Sequence, residues 1–176
     1  MNEEYVVLVD VQDKELGTME KMQAHLEGKL HRAVSVLIFN SQKQMLLQKR
    51  ADSKYHSAGL WTNTCCSHPR KGETPMDAAT RRLYEEMGIN CKLLSAFNFI
   101  YAVKLDKGLT EHEFDYVFAG ICDDVPLPDP TEVSEYKYLK MDTIEAEIKQ
   151  NPGQFTEWFK IIWKKIKPQN EHAPEG

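Results

Sequence analysis

The stretch Asn63-Thr64-Cys65-Cys66-Ser67-His68-Pro69 sets two thiols side by side with an imidazole two places on. Three chemistries suit those residue types: a disulfide, a zinc ligand set, or a catalytic thiol beside a metal ligand. Adjacent cysteines close a strained small ring, and thiols in a reducing compartment stay free, so the disulfide is the weakest of the three. Further along, Glu111 and Glu113 stand two apart in a strand-like run, so both carboxylates point to one face. His25 and His31 complete a candidate set with His68. Three imidazoles and two carboxylates suit a six-coordinate site for Zn²⁺, Mn²⁺ or Mg²⁺. A single histidine is more often a bystander, and the separation of these five along the chain does not by itself bring them together.

The elements that must position these groups read from pattern. Residues 4–10 predict a strand, 20–31 a short helix or turn broken at Gly28, and 32–40 a buried strand. Residues 41–44 turn that strand into a hairpin with 45–50, and 60–66 predict another strand. The clearest helix is 74–88. Thr74 can cap it, Pro75 suits its first position, Asp77 fits a capping box and Gly88 suits its end. Two long strands follow, 93–105 and 111–122, then a short one at 136–140. Helices close the chain at 141–151 and 155–166, the second with Phe155, Trp158, Phe159, Ile162, Trp163 and Ile166 at helical spacing. Residues 167–176 read as a disordered tail. The pattern predicts a single domain over 1–166, of α/β or α+β class.

Composition limits the partners. The chain has 176 residues, 41% hydrophobic and 28% charged, which suits a folded domain with its own core. A net charge of −5 carries no global footprint for nucleic acid, so anionic ligands must meet local cations. No apolar run approaches the roughly 18 residues of a membrane span, and the acidic start lacks a signal-peptide pattern. The expectation is a cytoplasmic protein with four reduced cysteines, no nucleic-acid partner and no membrane partner.

Residues 67–89 resemble the Nudix box, G-x5-E-x7-R-E-U-x-E-E-x-G-U with U aliphatic. Glu73, Arg81, Leu83, Glu85, Glu86, Gly88 and Ile89 fall in register. Ser67 replaces the leading glycine, and Arg82 replaces the first glutamate of the R-E-U triplet. The resemblance implies a mixed β-sheet sandwich with flanking helices, whose acidic helix holds Mg²⁺ against a diphosphate. Arg82 and Glu86 are helical neighbours at i and i+4. A guanidinium in place of a carboxylate removes a metal ligand and adds a bidentate phosphate clamp. The plainer alternative for Arg82 and Glu86 is a solvated surface pair.

With 'AHLEGKLH', 'WTNTCCSHP', 'RRLYEEMG' and 'TEHE' taken together, residues 4–165 resemble the type 1 isopentenyl-diphosphate isomerases. The resemblance implies that His25, His31, His68, Glu111 and Glu113 hold one Mn²⁺, Zn²⁺ or Mg²⁺. It implies Cys66 and Glu113 as catalytic residues, with Tyr101 hydrogen-bonded to that glutamate. It makes Glu86 the ligand of a diphosphate-bound Mg²⁺. Lys21, Arg50, Lys54 and Arg82 become the cations around the diphosphate, and Trp158 an aromatic wall beside the hydrocarbon. Cys66 and His68 share a face in an extended segment, so Cys66 is the site thiol. Cys65 then faces away as a small buried residue. Structural zinc would want a second pair at short spacing, and Cys91 and Cys122 stand alone.

The reaction so implied converts isopentenyl diphosphate to dimethylallyl diphosphate by a 1,3-allylic proton shift. The expectation is that Glu113 donates and a Cys66 thiolate accepts, the opposite assignment being chemically open. Two rivals remain: a Nudix hydrolase of a nucleoside diphosphate derivative, and a metal-dependent binding module. Trp158 and Tyr101 each also read as ordinary core residues.

Overall fold

The computed structural model describes residues 4–171. The chain opens with an antiparallel ribbon, β1 (Tyr5–Val9) and β2 (Glu15–Glu20). Helix α1 (Lys21–Glu27) follows; the Glu20 carboxylate accepts from the Met22 and Gln23 amides, and Gly28 closes the helix in the left-handed region. Then come β3 (His31–Phe39), β4 (Gln44–Arg50), β5 (Trp61–Thr62), β6 (Cys65–Ser67) and helix α2 (Pro75–Met87). The chain continues through β7 (Leu94–Lys104), β8 (Thr110–Ile121), β9 (Val133–Lys140), α3 (Met141–Gln150) and α4 (Glu157–Glu171). The expected tail over 167–176 falls partly on the end of α4 and otherwise outside the described residues. Among the described residues no helix is long and apolar enough to cross a membrane.

β3 is the hub of a mixed sheet. It runs parallel to β8 from His31 opposite Glu113 to Phe39 opposite Ile121, and antiparallel to β6 from Val34 to Val36. Its near-continuous buried run is what a strand covered on both faces requires. Alternation splits the core in two. Val34, Val36, Ile38, Leu46 and Phe118 pack with Ala78, Ala79, Leu83 and Met87 of α2. Leu37, Met45, Leu47 and Val117 pack on the other face with Phe155, Trp158, Phe159 and Ile162. β7 contributes Phe99 and Tyr101 to that second core. The sandwich with flanking helices expected from the sequence is the observed architecture.

Several boundaries differ from expectation for physical reasons. β2 carries no apolar alternation, because its face is solvent-exposed almost throughout, so no period-two signal marks it. The short helix or turn expected over 20–31 is broken at Gly28 as expected, and β3 opens at His31, one residue before the expected 32. β9 begins at Val133, three residues before the expected 136, because β4 pairs with it along its length. The strand expected over 60–66 is broken at Asn63 and Thr64. There β3 and β4 separate, meeting as strands at Phe39 and Met45. Thr64 Oγ1 accepts from the Ile38 amide at 2.9 Å and donates to the Leu46 carbonyl at 2.7 Å. Asn63 Nδ2 donates to the Val36 and Cys65 carbonyls. Two buried side chains thus replace missing ladder bonds and aim the following Cys65-Cys66 pair.

α2 is built as its sequence dictates. Thr74 accepts from the Asp77 amide at 3.1 Å, Pro75 starts the helix, and Gly88 ends it at φ +65°. A Cβ at Gly88 would lie 2.7 Å from the Leu127 Cβ, so backbone conformation and space both demand glycine there.

Candidate active site

The sheet register itself assembles the histidine–carboxylate cluster. β3 against β8 sets His31 beside Glu113, and β7 against β8 sets Tyr101 opposite the same glutamate. α1 supplies His25, and His68 follows β6. Ligand atoms of His25, His31, His68, Glu111 and Glu113 all lie within 4.8 Å of one another. His25 Nε2 is 2.9 Å from Glu111 Oε1, while His31 and His68 Nε2 are 3.1 and 2.8 Å from Glu113 Oε2.

The donor set fits a cation. His25 Nδ1 lies 2.6 Å from the Lys21 carbonyl, and His31 Nδ1 lies 2.8 Å from that of Lys29. A carbonyl can only accept, so both Nδ1 atoms carry protons; if either ring is neutral, its Nε2 lone pair faces a carboxylate. Lone pairs facing carboxylates repel unless a proton or a metal ion lies between them. In the metal-free protein burial opposes charging of His25 and His31, yet Glu111 and Glu113 outweigh it and raise both rings above their ordinary value. For His68 burial dominates and the ring is shifted down. Glu111 Oε2 is buried with no partner, an orphan oxygen that a cation would satisfy. Three imidazole nitrogens and two carboxylates are a donor set that suits a divalent cation.

Beside the cluster lies the thiol. Cys65 is fully buried in the α2 core, and Cys66 opens toward α4. The strand phase expected from the sequence therefore holds. Trp158 Nε1 donates to Cys66 Sγ at 3.0 Å, and the thiol donates to Asn63 Oδ1 at 3.1 Å. Burial, then the charges of Asp115 and Glu86, push the Cys66 thiol up to about 12. Burial also opposes charging of Glu113, but hydrogen bonds to His31 and His68 outweigh it and hold the carboxyl well below its usual range. Tyr101 donates its hydroxyl to Glu113 Oε1. The resting pair is thus a thiol and a carboxylate. Trp158 and Tyr101 are both buried in the core, and each turns its polar atom into the cleft, Trp158 onto Cys66 and Tyr101 onto Glu113.

A rim of cations surrounds the cleft, each paired or packed. Lys21 meets Glu4 at 2.5 Å, and Lys54 meets Glu132 at 2.8 Å. Arg82 Nη2 is shared by Glu86 at 3.1 Å and Glu132 at 3.2 Å, its Nη1 meets Glu85 at 2.6 Å, and its Nε donates to Ser67 Oγ. That is not a solvated surface pair, because Glu86 is only 4% exposed. Burial raises the Glu86 carboxyl above its ordinary value against the pull of Arg82. Arg50 lies over the Trp158 ring at 5.2 Å, with its Nε buried and unpartnered. The cleft brings together Lys21, Arg50, Lys54, Cys66, His68, Arg82, Glu86, Glu111, Glu113 and Trp158, with His25, His31 and Tyr101 in contact behind its wall. Sequence reasoning missed Glu4, Glu132 and His56, which line the same cleft. Glu132 and His56 lie in loops that carry no period from which a face can be assigned, and Glu4, first in the strand expected over 4–10, stands just before β1.

The comparisons agree with this architecture. The pattern of the NUDIX domain matches residues 29–159, which defines the sheet and acidic helix as a NUDIX domain. An isopentenyl-diphosphate Delta-isomerase of Pectobacterium atrosepticum is 54% identical over 161 residues, covering 92% of this chain and 90% of the relative. Isopentenyl-diphosphate Delta-isomerase 2 of Aromatoleum aromaticum is 47% identical, covering 89% and 83%. The crystal structure of DR0079 from Deinococcus radiodurans shares the fold, with a TM-score of 0.70 at 22% identity over 84% of this chain and 90% of that one. The chain belongs to the isopentenyl-diphosphate Delta-isomerase family of NUDIX-domain proteins.

Proposed function

We propose that the chain isomerises isopentenyl diphosphate to dimethylallyl diphosphate in isoprenoid biosynthesis, with Cys66 and Glu113 moving the two protons. The observation that carries this reading is the meeting of a half-buried thiol and a tyrosine-bonded carboxylate in one cleft rimmed by Lys21, Arg50, Lys54 and Arg82. The rim cations exchange their carboxylate partners for the diphosphate, and Arg82 supplies a planar fork to it. Glu86, buried beside that arginine, would hold the divalent cation, Mg²⁺, that accompanies the diphosphate. The histidine cluster with Glu111 and Glu113 would hold a second cation, Mn²⁺, Zn²⁺ or Mg²⁺, whose positive charge would favour the ionised form of Glu113.

The reaction adds a proton at the terminal alkene carbon and removes one from the methylene next to the oxygen-bearing carbon. The double bond moves one position and no atom is lost. The resting ionisation supports Cys66 as donor and the Glu113–Tyr101 pair as acceptor, the reverse of the sequence expectation. Burial keeps the thiol protonated, while His31 and His68 keep the carboxylate charged. A tertiary cation formed on the way is shielded from water by Trp158, whose indole packs in the core beneath the cleft.

The test is to incubate the purified protein with isopentenyl diphosphate and Mg²⁺ in D₂O and follow the products by NMR. Dimethylallyl diphosphate with deuterium in a methyl group is expected. Release of phosphate from nucleotides without allylic product would establish a hydrolase instead, and bound but unchanged substrate a binding module.

A further inference from the structure

His56 lies in the loop between β4 and β5 and is only 3% exposed. Three constraints fix it. Arg50 Nη2 donates to the His56 carbonyl at 3.1 Å, and the Ser57 amide donates to Asp106 Oδ1 at 3.2 Å. Ser57 itself sits at φ +51°, a conformation that a non-glycine residue keeps only where its surroundings hold it. The ring is enclosed by Tyr55 at 4.4 Å and 79°, and by Trp158 at 5.7 Å and 89°.

Its two nitrogens have distinct partners. Nδ1 lies 3.1 Å from Ser57 Oγ, and Nε2 lies 3.0 Å from Glu111 Oε1. A hydroxyl can donate to Nδ1, which places the ring proton on Nε2 and directs it at the carboxylate. His56 is not one of the five residues whose ligand atoms converge within 4.8 Å. It hydrogen-bonds to the cluster at Glu111, and its ring lies 5.7 Å from that of His25.

We propose that His56 is a positioning residue for the cation site: its Nε2–H holds Glu111 Oε1, which leaves the buried Oε2 free to face the ion. The inference rests on the reading of the histidine–carboxylate cluster as a metal site. The geometry has a direct rationale. With an ion in the cluster the His25 Nε2 lone pair would face it, with no proton there to donate to Glu111 Oε1, and the His56 Nε2–H would be the donor left on that oxygen. Hydrogen bonds to ligating carboxylates orient them, and their loss costs about 10–100-fold in metal affinity.

The experiment titrates the full chain with Mn²⁺ and measures free ion by electron paramagnetic resonance, for wild type, His56→Ala and His56→Gln. Wild type binds; His56→Ala binds about 10–100-fold more weakly; His56→Gln, whose amide can donate from nearly the same place, recovers most of the loss. Melting in chelator checks the apo fold, and the Ala and Gln variants are expected to melt alike. An Ala variant that binds Mn²⁺ as wild type does overturns the inference and leaves the metal site standing. A Gln variant as weak as Ala also overturns it, since ring packing rather than the hydrogen bond would then be at work. A wild type that binds no Mn²⁺ overturns the metal-site reading itself, and this inference with it.

Discussion

Neighbouring residues of the same type have opposite fates in this chain. Cys65 and Cys66 differ by one position, and the two-residue period of β6 sends one into the α2 core and the other to the site. Cys66→Ala should therefore abolish isomerisation while substrate binding persists. Cys65→Ala should keep activity and lower stability by about 1 kcal/mol, the loss of a small buried group. Assays of turnover and urea melts on both variants check this; a dead Cys65 variant beside an active Cys66 variant reverses the assignment. Two positions apart on β8, Glu113→Gln should cost on the order of 10²–10⁴-fold in rate, because a proton-transfer group is lost. Glu111→Gln should be milder in rate at saturating metal and should appear mainly as weaker metal binding. Equal rate losses at both, with metal restored, would remove Glu113 from proton transfer. The five residues of the histidine–carboxylate cluster were legible as a candidate set by type, though not their meeting, and His56 was not legible at all: a histidine in an aperiodic loop has no face until its backbone is seen.

Among the elements, α2 was the most legible, because cap, proline, period and closing glycine all speak locally. What its sequence did not reveal is the strap in front of it. Glu73 takes two bonds from Arg81, Nε at 2.8 Å and Nη2 at 2.9 Å, and accepts from the Arg70 amide. These bonds, Arg81's first and against a burial penalty, hold the Glu73 carboxyl below its ordinary value. A carboxyl depressed on folding contributes stability above its unfolded value and loses it as pH falls through the folded one. Glu73→Gln should thus destabilise the protein by on the order of 1 kcal/mol at pH 7. The gap to wild type should narrow as pH falls below the ordinary glutamate value of about 4.3. Urea melts of both proteins over the acid range measure it, and a gap that does not narrow on acidification would show that Glu73 acts through packing. The broken strand at Asn63 and Thr64 was the least legible element. Its side chains bond to backbone of β3 and β4, and such long-range partners leave no local pattern.

At the scale of the molecule, the site is a tie between segments far apart in the chain. His25 meets Glu111 across 86 positions, His31 meets Glu113 across 82, and His68 meets Glu113 across 45. Order along the sequence said little about those meetings, which the parallel pairing of β3 with β8 creates. A cation held there would join α1, β3, β8 and the end of β6, and it should bind the folded chain far better than the unfolded one. Ligand present at a hundred times its dissociation constant stabilises by about 2.7 kcal/mol. In a chain of this size that raises the melting temperature by about 5–10 °C. Scanning calorimetry with Mn²⁺ against the same protein in chelator measures the shift. His31→Ala, which removes one ligand from the middle of the tie, should show a much smaller one. An equal shift in that variant would place the stabilising ion elsewhere, with Glu86 and its acidic neighbours on α2 the next place to look.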